Sequence, residues 1–504
     1  MQDFPAATSN IYEIKSSTIS YQKGLTPMKM TPAQRKHMML TAPVERIIPK
    51  LAVPTIISML ITTIYNAADT FFVSQLDTAA SGAVGVVFSV MAIIQAISFT
   101  FGMGTGTNLS QALGRGDTET ANRYASVGFF SAIMTGVVIM ILGNLSLNWL
   151  VPLLGATEDI FPYAKAYATY IFYAAPFMMG SFVLNNMLRF QGLATYGMLG
   201  ITTGGILNML LDPIFIFEAG TDIGLGFALP FGFGMKTAGA AVATAISQAV
   251  SFCILLGQSN LRHDTISVLP RNFRPTRHMY GRIFNNGLPS LGRQGIASIS
   301  TILLNNSVKF YVDPLMQTAA IAAMSIVSKI VMFVNSTVIG FGQGFQPVCS
   351  FNYGAGQYSR VRRAFWFCVR VTTVILLVLG LGAFLVATPI LTAFRRDDPM
   401  TIEIGAFALR CHLTTIPLWG FIVMSNMFTQ SIGYGVRSMI ISISRQGLFL
   451  IPALLILPPL FSLTGVQIAQ PIADVFALGL TTMIVSSILK QFTQMEDKPL
   501  PTNS

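Results

Sequence analysis

Apolar residues in this chain neither alternate with polar ones nor form narrow helical stripes. They run for twenty residues and more, separated by short polar joints. Some 20 consecutive apolar residues cross a bilayer as a helix. Read that way, the runs predict twelve membrane helices, at roughly 48–75, 82–110, 122–150, 162–189, 196–218, 237–258, 282–309, 317–351, 361–394, 402–430, 437–461 and 465–490. Several exceed the thickness of the bilayer and must tilt or extend into water. A transmembrane β-barrel is excluded, since its strands would read as short alternating segments.

Lys and Arg orient the spans. With the N-terminus inside, the inner segments carry twenty-two of them. These are Lys15, Lys23, Lys29, Arg35, Lys36, Arg46 and Lys50, then Arg115, Arg123 and Arg189, five from Arg262 to Arg282, and Arg360, Arg362, Arg363, Arg370, Arg437, Lys490 and Lys498. The outer segments carry five: Lys165, Lys236, Lys309, Arg395 and Arg396. Such a bias places both termini in the cytoplasm. Residues 1–45 read as a disordered cytoplasmic tail, 46–258 as a first lobe of six spans and 259–281 as a basic cytoplasmic linker. Residues 282–490 read as a second lobe, and 491–504 as a C-terminal tail. Residues 1–40 are polar, so no cleavable signal peptide is visible.

The two halves repeat. G-M-G-T-G-T-N-L-S-Q-A-L-G-R-G (102–116) aligns at an offset of 240 with G-Q-G-F-Q-P-V-C-S-F-N-Y-G-A-G (342–356). Gly102, Gly104, Gly114 and Gly116 fall on Gly342, Gly344, Gly354 and Gly356. Pro54 and Pro289 open the two halves, and A-P-F-M-M-G (175–180) mirrors I-P-L-W-G (416–420). Six spans per half give both lobes one orientation, related by a pseudo-two-fold axis along the membrane normal.

Composition sharpens the class. The chain is 52% hydrophobic and 10% charged, against roughly 25% charged in a soluble domain. The net charge of +11 comes from basic residues scattered over short loops, which reads as topology and not as a nucleic-acid surface. Cys253, Cys349, Cys368 and Cys411 lie in or at the ends of apolar runs with no C-x-x-C, and read as packing residues. His37, His263, His278 and His412 are too dispersed to build a site. No H-E-x-x-H, G-x-S-x-G or P-loop motif is present, which argues against a membrane enzyme or an ATP-driven pump.

Of twenty acidic residues, three fall deep inside apolar runs: Asp69, Asp212 and Asp474. A charged side chain at mid-membrane costs at least ~2.5–3.5 kcal/mol, so such residues mark ion paths by default. Asn208 and Asp212 are four apart in I-L-N-M-L-L-D-P-I and share one helical face. Pro213 follows, and its ring denies the Met209 carbonyl its helical donor. A carboxylate, an amide and a freed carbonyl together suit a proton or a small hard cation. Tyr65 and Asn66 precede Asp69 on its own face. Asp474 reads as structural. Arg293, Lys329, Arg410 and Arg445 also lie inside spans, either bracing the second lobe or lining a cleft; bracing is favoured for Arg445, and Lys329 is the best functional candidate. Twenty-six Met and thirty-seven Phe suit an adaptable apolar cavity, for which Met59, Phe177, Met178, Met209 and Phe333 are candidate lining residues.

In this order, L-A-V-P with N-A-A-D-T-F-F-V, Q-A-L-G-R-G-D, I-L-N-M-L-L-D-P-I-F-I-F, A-G-A-A-V-A-T-A-I-S-Q, S-R-Q-G-L-F-L-I-P and A-Q-P-I-A-D resemble the multidrug and toxic compound extrusion (MATE) family. The resemblance runs from about 45 to 490 and is strongest to the prokaryotic DinF-like branch. It implies two six-helix lobes around a V-shaped cleft, and a monomer in a prokaryotic plasma membrane. It further implies export of drug-like, often cationic amphipathic molecules in exchange for H⁺ or Na⁺, with no cofactor. The branch's cation site falls on Asp69, Asn208, Asp212 and Thr244, with Asn186 or Asn185 as a further amide; the same residues would bind Na⁺ if sodium is the coupling ion. The branch relying on acids of the second lobe is a poorer match, because Asp313 sits in a predicted loop and Glu403 at a predicted outer end. The alternative is a related flippase for lipid-linked oligosaccharides, which needs several cationic groups in its cleft for phosphates. In the exporter, a cation entering from outside neutralises Asp69 or Asp212, and the first helix repacks to expel substrate.

Overall fold

The computed structural model describes residues 30–221, 230–261, 265–394 and 398–495. Lys15, Lys23, Lys29, Arg262, His263, Arg395, Arg396 and Lys498 lie outside them. The chain is helical, with helices α1 (Pro32–Thr41), α2 (Val44–Ser74), α3 (Thr78–Arg115), α4 (Thr118–Leu153), α5 (Phe161–Phe190), α6 (Ala194–Ile216) and α7 (Lys236–Asn260) in its first half. The second half holds α8 (Arg277–Tyr311), α9 (Pro314–Gly354), α10 (Tyr358–Leu385), α11 (Ala387–Phe394), α12 (Pro399–Ser431), α13 (Gly435–Ile443) and α14 (Leu450–Gln494).

Among the described residues, ten helical stretches are long and apolar enough to cross a membrane. One of them, Gly435–Gln494, has 60 residues and would be about 90 Å long if straight. It breaks at Ser462, whose φ of 50° and ψ of −127° follow Pro458 and Pro459, and so supplies two spans. The twelfth is α8. Its Arg282, Arg293, Gln294 and paired asparagines lower its hydropathy, because part of it faces a cavity and not lipid. The protein is therefore an all-α, multi-pass membrane protein of two six-helix lobes.

The tail departs from expectation. Residues 32–41 form a helix, capped by Thr31 and Gln34 in a reciprocal capping box and opened by Pro32 at its first turn. Its Met38, Met39 and Leu40 are buried with the start of α2 in the core of the second lobe. Apolar contact of this kind supplies the order that the polar composition of the tail did not suggest. The expected span 361–394 is likewise split, into α10 and α11 at Val386.

Each lobe has its own core, and the two cores trade elements. Val44, Ile47, Ile48, Leu51 and Ala52 at the start of α2 belong to the second lobe's core. Met279 and Ile283 at the start of α8 belong to the first lobe's. The lobes thus close against each other at the end of the bundle that carries α1 and the last turns of α14. The repeated glycines make that closure possible. A Cβ on Gly114 would lie 2.1 Å from the Phe351 carbonyl oxygen, and one on Gly354 would lie 2.2 Å from that of Gln111. Those contacts are related by the same 240-residue offset, so one interface is built twice. Small residues allow this approach of backbones where apolar burial provides no drive between helices in lipid. Gly116 and Gly356, also repeat partners, take φ of 84° and 76° and stop α3 and α9.

The hydrogen bonds between lobes gather at the same end. Thr55 Oγ1 donates to Gly340 O (2.6 Å), Gln111 Nε2 to Ser431 O (2.8 Å) and Ser110 Oγ to Pro347 O (3.3 Å). Towards the far end the contact of Thr63 with Ser336 (3.0 Å) sits beside a cavity between the lobes.

Candidate functional site

Four helices of the first lobe bring the polar residues together. Helix α6 carries Asn208 and Asp212 one turn apart, and Asn208 Nδ2 donates to Asp212 Oδ1 at 3.0 Å. The same amide nitrogen lies 3.3 Å from Thr244 Oγ1 on α7. Helix α2 brings Asp69, whose Oδ2 accepts a hydrogen bond of 3.0 Å from the Tyr167 hydroxyl on α5. Asp69 and Asp212 lie within each other's electrostatic reach. Asp212 is 0%, Asn208 2%, Thr244 4% and Asp69 8% exposed.

This cluster is short of donors. Asp69 Oδ1, Asn208 Oδ1 and Asp212 Oδ2 are buried with no hydrogen-bond partner, and so is the Ser247 hydroxyl on α7. A buried unpaired acceptor costs about 1–3 kcal/mol, and more where charge is involved. Oxygen-only acceptors around two carboxylates match what a proton or a hard cation such as Na⁺ requires. Among the described residues no group of three His, Cys, Asp or Glu gathers as a metal centre.

Two cavities join this cluster to the space between the lobes. The smaller, about 30 Å³, is bounded by Tyr65, Asn186, Asn208, Thr244, Ser247 and Gln248 and has room for a water or two. The larger, about 310 Å³, lies between the lobes and is bounded by Thr63, Arg293, Asn335, Ser336, Arg445 and Gln446 among others. Met59, Thr62, Phe99, Phe182 and Gln343 bound both. On α2, Ser58, Thr62, Tyr65 and Asp69 follow one helical face, so a single helix runs from the cavities to the buried carboxylate.

Several expected residues fall elsewhere. Asn186 borders the small cavity, but its Oδ1 is taken by Arg189 and its Nδ2 donates to Phe182 O, so it makes no bond to the carboxylates. Of the cleft candidates, Met59 and Tyr65 line cavities. Met178 is 1% exposed in the first lobe's core, and Phe177 packs edge-on against Phe252. Met209, Phe333 and Lys329 border neither cavity, because the helical faces they occupy turn away from it or lie beyond it. Arg410 stands over the Phe384 ring at 6.0 Å and donates to Thr388.

Arg445 does border the large cavity, from a π-helical turn at Ser444–Leu448. Its Nε donates to Asp474 Oδ1 at 2.7 Å, and its guanidinium lies 3.5 Å from the Trp419 ring centre. Asp474 is saturated, accepting also from Gln470, Thr415 and Trp419, which accords with a structural role. Sequence reasoning missed Tyr167, an aromatic in an apolar run with no local signal. Arg189, expected at the inner end of the span 162–189, is 1% exposed in the last turn of α5, a burial the sequence did not signal.

The family model MatE matches residues 54–214 and again 295–456, more than half of the chain and one match per lobe. The chain belongs to the MatE family. The two MatE matches begin 241 residues apart, close to the offset of the glycine repeat. Multidrug export protein MepA of Staphylococcus haemolyticus is 25% identical over 88% of this chain and 93% of its own. MepA of Staphylococcus aureus (strain MSSA476) is 26% identical over 89% and 95%. Among solved structures, one described as the outward-facing conformation of a multidrug resistance MATE family transporter superposes with a TM-score of 0.81 at 25% identity, covering 92% of this chain and 98% of that one. A MATE in complex with MaL6 gives 0.82 at 25% identity over 91% and 99%.

Proposed function

We propose that this MatE protein is a plasma-membrane exporter of drug-like amphipathic molecules, driven by H⁺ or Na⁺ entering through the Asp69–Asp212 cluster. Multidrug export is the activity named for its MepA relatives. The observation that carries the coupling reading is the set of unpaired buried oxygens at Asp69, Asn208 and Asp212, next to a cavity that opens on the cleft. Both termini lie on the cytoplasmic side, where the lobes are closed, so the cleft faces outward in this conformation.

In that state the carboxylates wait for a cation. Its arrival supplies the missing partner for Asp69 Oδ1 or Asp212 Oδ2 and cancels charge that low dielectric makes expensive. Helix α2 links this event to the cleft, because Asp69 sits on the face that also presents Thr62 and Ser58. Pro54 interrupts its hydrogen-bond ladder and lets the segment carrying Asp69 repack. Repacking narrows the cavity at Met59 and Thr62 and releases the substrate. When the lobes open towards the cytoplasm the cation leaves, and substrate binds again.

A flippase for lipid-linked oligosaccharides would need several cations around the cleft. Of the basic residues in the second-lobe spans, Arg293 and Arg445 border it, whereas Lys329 and Arg410 do not. The test is resistance in a host lacking its own exporters: the wild-type protein raises the inhibitory concentration of several unrelated drugs, and Asp212→Asn, expressed at the same level, does not. Equal resistance from both proteins refutes the assignment.

A further inference from the structure

The charges facing the large cavity are of one sign. Its lining contains Arg293 on α8 and Arg445 on the π-turn, and no Asp or Glu. Arg445 is neutralised behind the wall by Asp474 at 2.7 Å. Arg293 has no such partner: among the described residues neither a carboxylate nor any hydrogen-bond acceptor engages its guanidinium. The carboxylates of the first lobe do not compensate it, because Asp69 and Asp212 border neither cavity and lie behind Asn208, Thr244 and Ser247.

The rest of the lining favours the same sign of ligand. Gln446 and Asn335 add amide donors, and Gln343 extends the polar wall towards the first lobe. Met59, Phe99, Phe182 and Ile339 supply an apolar bed beside them. Lys329 stands two helical turns beyond Ser336 on the face of α9 that meets Thr63 across the cleft. It is exposed, so a second cation stands beyond the cavity on the same face of α9. A half-buried guanidinium without a counter-ion is a ready fork for an oxyanion, and like charge near it disfavours a cation.

Resting on the exporter reading, we infer that the cleft selects substrates carrying a compact anionic group, a carboxylate, sulfonate or phosphate monoester, on an apolar body, with the anion seated at Arg293. The cavity of about 310 Å³ suits such a group on a small ring system. The substrate class is therefore organic anions, opposite in sign to the cations expected from the resemblance.

The test pairs two probes with one body, naphthalene-2-sulfonate and trimethyl(2-naphthyl)ammonium. Their binding to the full chain in detergent is measured by calorimetry. Wild type binds the sulfonate at least about tenfold tighter than the ammonium. Arg293→Gln abolishes that preference without weakening the ammonium, and Arg293→Lys restores it in part. A preference of wild type for the ammonium, or a preference for the sulfonate unchanged in Arg293→Gln, overturns the inference. Dodecyl phosphate as a third probe separates the sources: tighter binding than the sulfonate assigns a lipid-like anion, and weaker binding a soluble one. Transport distinguishes this inference from the reading beneath it. If the ammonium is exported under an ion gradient and the sulfonate is not bound, the anion inference fails while export stands. If the sulfonate is bound through Arg293 but no gradient drives its exit, export fails while the anion site stands.

Discussion

The Tyr167 hydroxyl on α5 donates a hydrogen bond of 3.0 Å to Asp69 Oδ2 on α2. That leaves the other oxygen of the same carboxylate, Oδ1, unpaired. The phenol therefore fixes the orientation of the carboxylate and leaves one oxygen unpaired, the oxygen that the proposed coupling role requires.

Replacing Tyr167 by Phe removes that donor and nothing else of comparable size. A hydrogen bond to a charged group is worth ~1.5–3 kcal/mol. The expected outcome is a change of at least about tenfold in the ion concentration that half-saturates transport, with normal yield of folded protein. An unchanged half-saturation point would remove Tyr167 from the site.

The closed end depends on Gly114 and Gly354. A Cβ at either would press within 2.2 Å of a backbone oxygen of the other lobe, and backbone cannot step aside as a flexible side chain can. Gly114→Val or Gly354→Val is predicted to pry the lobes apart at that end. Thr100 of α3 is buried with its carbonyl against Gly287 of α8, between the lobes, so a cysteine placed there should then react faster with a membrane-impermeant maleimide from the α1 side than in the parent. Equal labelling rates would show that the contact is not what seals it.

Asp474 holds four donors and the charge of Arg445. Breaking one side of a buried pair leaves an uncompensated charge and costs on the order of 3–5 kcal/mol. Asp474→Asn should lower the Tm of the detergent-solubilised protein by several degrees. The double variant Arg445→Met, Asp474→Leu should recover part of that loss. A large loss of transport with no change in Tm would instead make the pair functional.

The bundle was legible because membrane helices are specified locally, by twenty-residue apolar runs, and the ends fall within a few residues of where those runs stop. The expected span 48–75 is observed at Val44–Ser74, and 162–189 at Phe161–Phe190. Asp69, Asn208 and Asp212 stood out for a related reason, since an unpaired acid or amide is conspicuous in an apolar run, whereas Thr244 came only from the family resemblance. Residues defined by long-range packing were not legible. Tyr167 is chosen by the approach of α5 to α2, and Arg189 turns inward beside Asn186 although its sequence neighbourhood looks like a helix end. Met178 and Lys329 show the converse, being chemically suited to a cleft but placed in a core by helix rotation and beyond the cavity by height along α9, respectively.

The central claim is that inward movement of a cation through Asp69 and Asp212 drives substrate out. The most direct measurement is substrate release from proteoliposomes under an imposed pH gradient and then an imposed sodium gradient, with ion influx recorded in the same vesicles. The wild-type protein should release substrate under one of the two gradients with matching ion influx. Asp69→Asn and Asp212→Asn should show neither, while still binding substrate in detergent. Gradient-driven release at the wild-type rate by either variant would contradict the account.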